Sequence, residues 1–300
     1  MQRIGFVGLG AMGRPIAWRL LQAGYPMTVC DLRADVVRDF VAAGAGHGET
    51  PAAVAAASDV VITIVPDAPD VDAVALGPGG LIEGLRPGMI YIDMSTVDPT
   101  TTRRVGAAMA KAGVRMIDSP VGRTTRHAEE GKLVLMIGGD DADIADVQAI
   151  FDRLADTFIR CGPLGGGSAT KVVNNFLALT CCAVSAEAFS LGVKAGLSVE
   201  HMLKVFGSTM AANAQALSAY PQFALAGNFE PGFMVALGHK DLRLALGLAR
   251  EYGIAAAVGT AAYEAFAEAR RQGHDRDDVT SILLLREAEA RVTVRLGDPT

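Results

Sequence analysis

The amino terminus of this chain of 300 residues constrains the fold more than any other segment. The apolar run Ile4–Val7 predicts a short buried strand, Gly8, Gly10 and Gly13 follow it, and a helical pattern occupies residues 15–23. In such a unit the first glycine permits a tight turn, the second lets the backbone approach a pyrophosphate, and the third lets helix and strand pack closely. The segment therefore predicts a dinucleotide site. We assign these loop residues to it: Gly8, Gly10, Ala11, Met12 and Gly13.

An acidic residue refines the prediction of the cofactor. Met27–Cys30 predicts the second strand, and Asp31 follows it, 18 residues after Gly13. An acid at about this distance receives the ribose hydroxyls of the adenosine and repels a 2′-phosphate. Asp31 therefore favours NAD over NADP. Arg33 leaves NADP use open, because an arginine nearby can accept the phosphate.

Strand-like runs alternate with helical patterns as far as residue 137. Further strands are predicted at 59–65, 89–93, Arg115–Asp118 and Leu133–Ile137. This alternation predicts a parallel α/β sheet, the Rossmann fold, in which ligands lie beyond the carboxyl ends of the strands. The residues at the carboxyl ends of the strands predicted at 59–65 and 89–93 are thus candidate site residues. They are Val65, Pro66 and Thr96 for the cofactor and Ser95 for the substrate. The alternative is ordinary strand-end turn chemistry, with Thr96 and Asp98 as helix caps.

The carboxyl-terminal half contains helical patterns and no strand signal. The glycine cluster at 162–167 precedes a long helical pattern at 168–195. The later helical patterns cover residues 199–208, 210–220, 233–252, 255–272 and 277–291. We expect an NAD-binding Rossmann domain at residues 1–163. An all-helical domain for substrate and oligomer contacts is expected at residues 164–300, with a long helix joining the two.

Three polar residues share one face of the long helix. Lys171, Asn174 and Asn175 stand at i, i+3 and i+4 amid apolar neighbours. Buried polar groups need partners, and a bound substrate in a cleft can supply them. The lysine then offers a proton donor. The alternative is a structural cluster that caps the glycine loop or bridges the domains.

Composition excludes several classes of function. The net charge is −6 with both signs interspersed, which gives no general attraction to nucleic acid or to an anionic membrane. The four cysteines and the histidines do not follow a metal-ligand spacing, so no metal is expected. The apolar stretch at 172–193 contains Asn174, Asn175 and Glu187, so we interpret it as a buried helix. We expect a reduced, cytoplasmic protein.

Five motifs occur in an order that resembles one family. They are IGFVGLGAMGRPIA, DMSTVDP, DSPVGRTTRHAEEGKL, GGGSATKVVNN and GHKDL, which span residues 4–242. The chain resembles the β-hydroxyacid dehydrogenases, the family of 3-hydroxyisobutyrate dehydrogenase and tartronate semialdehyde reductase. The resemblance implies that Lys171 is catalytic, that Asn175 assists it, and that Thr96 and Lys240 contact the cofactor. The alternative for Lys240 is a solvated lysine paired with Asp241 or Glu251. We expect a homodimer or a homotetramer.

One turn departs from the usual family pattern. Gly122, Arg123 and Thr124 stand where members of the family usually have Ser-Gly-Gly. This version resembles that of the 3-sulfolactaldehyde reductases, and a guanidinium can donate several hydrogen bonds to a sulfonate. We expect these three residues, with Asn174, to hold an anionic aldehyde, most simply 3-sulfolactaldehyde, which would become 2,3-dihydroxypropane-1-sulfonate.

Three alternatives stay open from the sequence. Arg123 binds a carboxylate, in which case the substrate is that of a 3-hydroxyisobutyrate dehydrogenase or of a tartronate or succinate semialdehyde reductase. Arg123 instead pairs with an acid such as Glu129. In a different class of function, the chain is a non-catalytic NAD-binding protein.

Overall fold

The computed structural model describes residues 1–297, and the chain divides into two compact units. The first unit is Met1–Val172, and the second begins at Val173. The domain limit expected at residue 163 stays a prediction.

The first unit is built on a parallel sheet of six strands. The order across the sheet is β3-β2-β1-β4-β5-β6, so the chain starts in the middle and adds strands to either side. The strands are β1 (Ile4–Val7), β2 (Met27–Cys30), β3 (Gly46–His47), β4 (Val60–Thr63), β5 (Ile90–Asp93) and β6 (Arg115–Asp118). Every pair is parallel, so the expected Rossmann fold is confirmed.

Alternating side chains of the central strands fill both faces of this sheet. Ile62 on β4 and Ile92 on β5 belong to the core on one face, and Val61 and Tyr91 belong to the core on the other. Each of the four is fully buried. Strands buried on both faces appear in a sequence as continuous apolar runs, which is the signal that predicted them.

A second sheet of three strands follows the first. Its strands are β7 (Val121–Gly122), β8 (Leu133–Ile137) and β9 (Ala155–Arg160), with β8 in the middle. Only β8 was expected from the sequence. β9 was missed because four of its six side chains are exposed and its apolar residues are mixed with Asp156, Thr157 and Arg160, so it lacks a buried apolar run.

Helices cover the strands of the first unit. They are α1 (Gly13–Gln22), α2 (Ala34–Ala42), α3 (Pro51–Ala56), α4 (Ala68–Leu76), α5 (Leu81–Gly84), α6 (Pro99–Lys111), α7 (Thr125–Glu130) and α8 (Asp141–Leu154). Asp98 is the N-cap of α6 and accepts a hydrogen bond from the Thr101 N–H, as the sequence indicated.

The long helix α9 (Gly166–Lys194) starts in the first unit and continues into the second. By length and apolar composition alone it could cross a membrane. One of its faces nevertheless belongs to the core of the second unit, where Leu179, Cys182, Ala186 and Phe189 are buried. We therefore interpret α9 as a core helix.

The regular elements of the described part of the second unit beyond α9 are helical, and a single β-bridge joins Met234 and Asp278. The helical elements are α10 (Val199–Gly207), a π-helix (Gln215–Ala219), α11 (Tyr220–Gln222), α12 (Val235–Glu251), α13 (Ala257–Arg271), α14 (Leu283–Ala290) and two 3₁₀ turns (Ala224–Ala226, Val279–Ile282). Their core includes Tyr220, Leu242, Phe266 and Leu283.

The prediction of one helix at residues 210–220 is wrong. Residues 210–213 are not helical, and the π-helix occupies most of the remainder. The side chain of Asn213 accepts the N–H of Ala216, so the asparagine caps a later start than the propensities suggested.

Candidate active site

The glycine loop has the close backbone approaches that the sequence predicted. Gly8 has a φ of +95°, a left-handed conformation, and a Cβ on it would lie 2.3 Å from the carbonyl oxygen of Ile64. A Cβ on Gly13 would lie 2.0 Å from the carbonyl oxygen of Gly8. By contrast, a Cβ on Gly10 would meet no described atom within 4 Å. The loop thus leaves its open side at Gly10, where a pyrophosphate would approach.

A cavity of about 520 Å³ adjoins this loop. Leu9, Gly10, Ala11 and Arg33 are among the residues that line it. Met12 is the N-cap of α1, and within the described residues its side chain makes no cap hydrogen bond. The amino end of α1 therefore keeps its positive dipole end available to an anion. The residues present fit a dinucleotide.

The two loop glycines should respond differently to a methyl group. We expect Gly13→Ala to lower the free energy of unfolding by about 1–3 kcal/mol, because the Gly8 backbone must move. Gly10→Ala should leave stability within about 0.5 kcal/mol, since it enters open space. It should weaken NADH binding roughly tenfold, because the pyrophosphate loses its approach to the backbone. Thermal unfolding and NADH titration of both variants test this, and equal behaviour of the two would contradict it.

Asp31 lies at the end of β2, as expected, but its carboxylate is already engaged. It accepts the Leu9 N–H at 2.6 Å and the Arg33 N–H at 2.8 Å. The Arg33 guanidinium also pairs with it at 3.3 Å and donates to the Leu9 carbonyl at 2.7 Å. Arg33 thus partly neutralises the charge that would repel a 2′-phosphate.

We expect a higher kcat/KM with NADH than with NADPH, since Asp31 remains in place beside the loop. Asp31→Ser should reduce the difference in kcat/KM between NADH and NADPH, because it removes a negative charge. Asp59→Ser is the matched control, because Asp59 is an acid before β4 that pairs with Arg3 and does not line the cavity beside the glycine loop. Steady-state kinetics with both cofactors give the answer. Equal efficiency in the unmodified protein would show that Arg33 compensates for Asp31.

The ends of β4 and β5 are joined by a buried polar network. The Thr63 hydroxyl donates to Asp93 Oδ1 at 2.9 Å, and the Ser95 N–H donates to the same oxygen at 3.0 Å. The Ser95 hydroxyl then accepts the Val65 N–H at 2.9 Å. Because Ser95 is fully buried, this geometry gives it the role of holding the segment that carries Val65. Direct contact of Ser95 with a substrate stays a prediction.

The other candidate residues at this edge lie beyond the same strand ends. Pro66 is exposed and follows Val65, while Thr96 is partly buried and follows Ser95. Since β1, β4 and β5 are parallel, their carboxyl ends bring these residues to one edge of the sheet together with the glycine loop. Their contacts with the cofactor stay predictions.

Two aspartates are buried side by side at this edge. Asp93 and Asp118 are partners in the register of β5 and β6, and each is about 1% exposed. Burial raises the pKa of Asp93, and burial likewise raises the pKa of Asp118. Asp118 accepts the Gly165 N–H at 2.8 Å and the Ser168 N–H at 2.7 Å. The carboxylate therefore binds the amino end of α9, and Ser168, one of the two residues that it holds, lies three residues before Lys171.

The predicted turn at 122–124 exists, and its central residue is unusual. Gly122 ends β7, Thr124 is the N-cap of α7, and Arg123 has a φ of 76°, in the left-handed region. Non-glycine residues in that region are uncommon and occur often at functional sites. The Thr124 hydroxyl lies 2.9 Å from His127 Nδ1.

The Arg123 guanidinium is paired with an acid, but not with Glu129. Its Nη1 donates to Asp156 Oδ1 at 2.7 Å and to the Lys132 carbonyl, and its Nη2 donates to Thr157 Oγ1 at 3.3 Å. The Thr157 hydroxyl, and after it the Arg123 guanidinium, hold the pKa of Asp156 below its usual range. The side chain of Arg123 is 33% exposed. An anionic substrate at Arg123 must therefore share it with Asp156.

Lys171 lies in the second turn of α9 and is partly buried. The first turn is held by Asp118 and by Ser168, whose hydroxyl lies 2.9 Å from that of Thr102 on α6. Residues 168 and 171 are three positions apart and so share a helix face.

In the second unit, the buried side chain of Asn175 connects other polar side chains. Its Nδ2 donates to Asp241 Oδ2 at 2.6 Å, and its Oδ1 accepts from Asn174 at 3.0 Å. Lys240 Nζ lies 3.0 Å from Asp241 Oδ1, and both of these side chains are largely buried. The structure therefore links three predicted residues, Asn174, Asn175 and Lys240, through Asp241, which the sequence analysis did not assign to the site. Lys240 pairs with Asp241 as the alternative expected, but its side chain is largely buried and not solvated.

Two of the unassigned acids share a signal that the sequence contained. Asp93 and Asp118 each end an apolar strand. A carboxylate after an apolar run needs partners, so each could have been singled out from its neighbours. Asp241 offered less of a signal, because it stands between Lys240 and Leu242 in an amphipathic helix. Asp156 offered no such signal, since it is exposed.

Comparison with known families covers nearly the whole chain. Residues 3–162 match the family described as the NAD binding domain of 6-phosphogluconate dehydrogenase. Residues 165–285 match the family described as NAD-binding of NADP-dependent 3-hydroxyisobutyrate dehydrogenase. The chain belongs to the β-hydroxyacid dehydrogenase family. The expected family is thus confirmed.

Individual members of this family resemble the chain over their full length. The 2-(hydroxymethyl)glutarate dehydrogenase of Eubacterium barkeri is 35% identical over 98% of both chains. The 3-sulfolactaldehyde reductase of Escherichia coli strain K12 is also 35% identical, over 99% of both chains. A solved structure of the Mycobacterium tuberculosis 3-hydroxyisobutyrate dehydrogenase with L-serine has a TM-score of 0.88 at 29% identity. It covers 95% of this chain and 99% of its own.

These relatives establish the class of the chain. It is an NAD(P)-dependent dehydrogenase or reductase, and the alternative of a non-catalytic NAD-binding protein is set aside. The relatives are named for different substrates, so the family does not choose between a sulfonate and a carboxylate.

Proposed function

We propose that this β-hydroxyacid dehydrogenase reduces a small anionic aldehyde with NADH, and that the aldehyde is 3-sulfolactaldehyde. The nicotinamide ring supplies the hydride when the cofactor is bound. Lys171 holds the proton for the aldehyde oxygen, which becomes the hydroxyl of 2,3-dihydroxypropane-1-sulfonate. In the opposite direction neutral Lys171 takes that proton back.

Asn175 orients the reacting oxygen in this proposal. Its amide is held by Asp241 on one side and by Asn174 on the other, so its orientation is fixed before a substrate arrives. Asn174 is exposed, which leaves it able to contact a substrate. Lys240, paired with Asp241, would contact the cofactor.

The observation that supports a sulfonate is the left-handed Arg123 in the Gly122-Arg123-Thr124 turn. A sulfonate spreads its charge over three oxygens, and a guanidinium can donate to more than one of them. The guanidinium of Arg123 donates three hydrogen bonds, all from Nη1 and Nη2, and Nε has no acceptor among residues 1–297. The guanidinium can therefore offer Nε to an anion while it remains beside Asp156.

A comparison of substrates tests this proposal. We expect kcat/KM with 3-sulfolactaldehyde to exceed that with methylmalonate, tartronate and succinate semialdehydes, each measured with NADH. A preference for one of the carboxylates would replace the sulfonate with that substrate and would leave the reductase assignment standing.

We also propose that the chain assembles as a homodimer or a homotetramer. Along α9 the apolar side chains of Val173, Leu177, Val184 and Leu191 are more than half exposed. An apolar stripe of this kind supports a protein interface. Light scattering of the purified protein measures the mass, and a monomer at micromolar concentration would contradict the proposal.

A further inference from the structure

The amino end of α9 is contacted by three elements of the first unit. Asp118 on β6 receives two of its N–H groups, and Thr102 on α6 contacts the Ser168 hydroxyl. On the side of β8, a Cβ on Gly167 would lie 2.2 Å from the carbonyl oxygen of Met136. Contacts from three elements therefore fix the rotation and the height of the first turn.

We propose that Asp118 is a positioning residue for Lys171, and that its buried carboxylate sets where the lysine stands relative to the strand ends. This inference rests on the proposed role of Lys171 as the proton donor. It assigns to Asp118 an effect on catalysis through the first turn of α9, with no contact to the substrate or the cofactor.

Helix geometry connects the aspartate to the lysine. Asp118 holds the peptide N–H of Ser168, and Lys171 lies on the same face, one turn later. Side chains in a helix lean back toward its amino end, so the stem of Lys171 lies over the turn that Asp118 holds. A small rotation of that turn therefore displaces the lysine amino group.

The site specifies a carboxylate and not an amide. The Gly165 N–H is received by Oδ1 and the Ser168 N–H by Oδ2, the pattern of an ionised group with two acceptors. An asparagine would offer one acceptor and would turn its own NH₂ toward the other N–H. A Cβ on Gly138 would lie 2.4 Å from Asp118 Oδ1, so the neighbouring backbone leaves the carboxylate no room to turn.

The charge of Asp118 also affects Lys171. The carboxylate lies at the positive end of the α9 dipole, which stabilises its negative charge, and Asp93 on β5 and Arg103 on α6, beside Gly165, are charged neighbours of the same region. Removing the negative charge makes the protonated form of Lys171 less favourable. Lys171 would then lose its proton, and with it the role of proton donor, at a lower pH.

The test is Asp118→Asn, assayed with the aldehyde that the unmodified protein reduces best. We expect kcat to fall about three- to thirtyfold through misplacement of the donor, with the dissociation constant of NADH unchanged. The alkaline limb of the kcat profile should move to lower pH by about half a unit or more. Unchanged kcat and an unmoved alkaline limb would overturn the proposal, even if the variant melts earlier.

Two further variants separate positioning from folding. Glu287→Gln is the matched control, because Glu287 is also buried and accepts a backbone N–H, from Val294, but lies on α14. It should lower the melting temperature without altering the pH profile. Thr102→Val removes the hydroxyl that meets Ser168 and keeps the carboxylate, so it should lower kcat about threefold with the alkaline limb unmoved.

Thr102→Val also decides the question if Asp118→Asn does not fold. A kcat equal to that of the unmodified protein would then overturn the proposal. Lys171→Ala is measured in parallel. If it retains turnover, the assignment of Lys171 fails; if it loses turnover while Asp118→Asn does not, only the role of Asp118 fails.

Discussion

Lys171→Ala will lower kcat for aldehyde reduction by ~10²–10⁴ and will leave NADH binding intact, the usual result of losing a general acid. The residue stands in the second turn of α9, on a face shared with Asn174 and Asn175. Steady-state turnover and NADH titration measure the two quantities separately.

The control for this variant lies on the same helix. Lys194 is exposed at the carboxyl end of α9, and Lys194→Ala should have turnover equal to that of the unmodified protein. Turnover of Lys171→Ala within about threefold of the unmodified protein would remove Lys171 from the role of proton donor.

Arg123→Ala will lower kcat/KM for 3-sulfolactaldehyde roughly ten- to hundredfold, since a charge-assisted contact contributes about 1.5–3 kcal/mol. The loss should appear chiefly in KM if the contact is equal in the ground and transition states. For a neutral aldehyde of similar size, kcat/KM should fall far less. Equal loss for both aldehydes would show that the substitution damages the turn and does not remove an anion contact.

The ion pair with Asp156 supplies two companions to this experiment. Asp156→Asn removes the competing carboxylate, so it should lower KM for the anionic aldehyde. Arg126→Ala removes a neighbouring arginine that is 83% exposed and paired with Glu130. This variant should leave kcat/KM unchanged for both the anionic and the neutral aldehyde. If Asp156→Asn raised KM instead, the pair would be needed to orient the guanidinium.

The sequence predicted the strand, glycine loop and helix at the amino terminus because the signals for these elements are local. A glycine with a left-handed φ or a close backbone approach, such as Gly8 or Gly13, leaves its mark at a fixed spacing from a strand. The strand ends followed from buried apolar runs. Parallel pairing then brought Val65 and Ser95 to the same edge of the sheet.

The partners of the polar residues could not be predicted in the same way. Asp156 lies 33 positions after Arg123 and reaches it through β9, a strand without an apolar pattern. The sequence suggested Glu129 because it is near in the chain, but Glu129 lies on α7. Asp241, 66 positions after Asn175, contacts it because α12 packs in the same core as α9.

Isotope transfer tests the central claim most directly. The unmodified protein is given 3-sulfolactaldehyde and NADH that carries deuterium at its transferable position, and the product is analysed by mass spectrometry. The account predicts 2,3-dihydroxypropane-1-sulfonate with one deuterium on the carbon that bears the new hydroxyl. No product, or a product without deuterium, would contradict the assignment of this chain as an NADH-dependent reductase of that aldehyde.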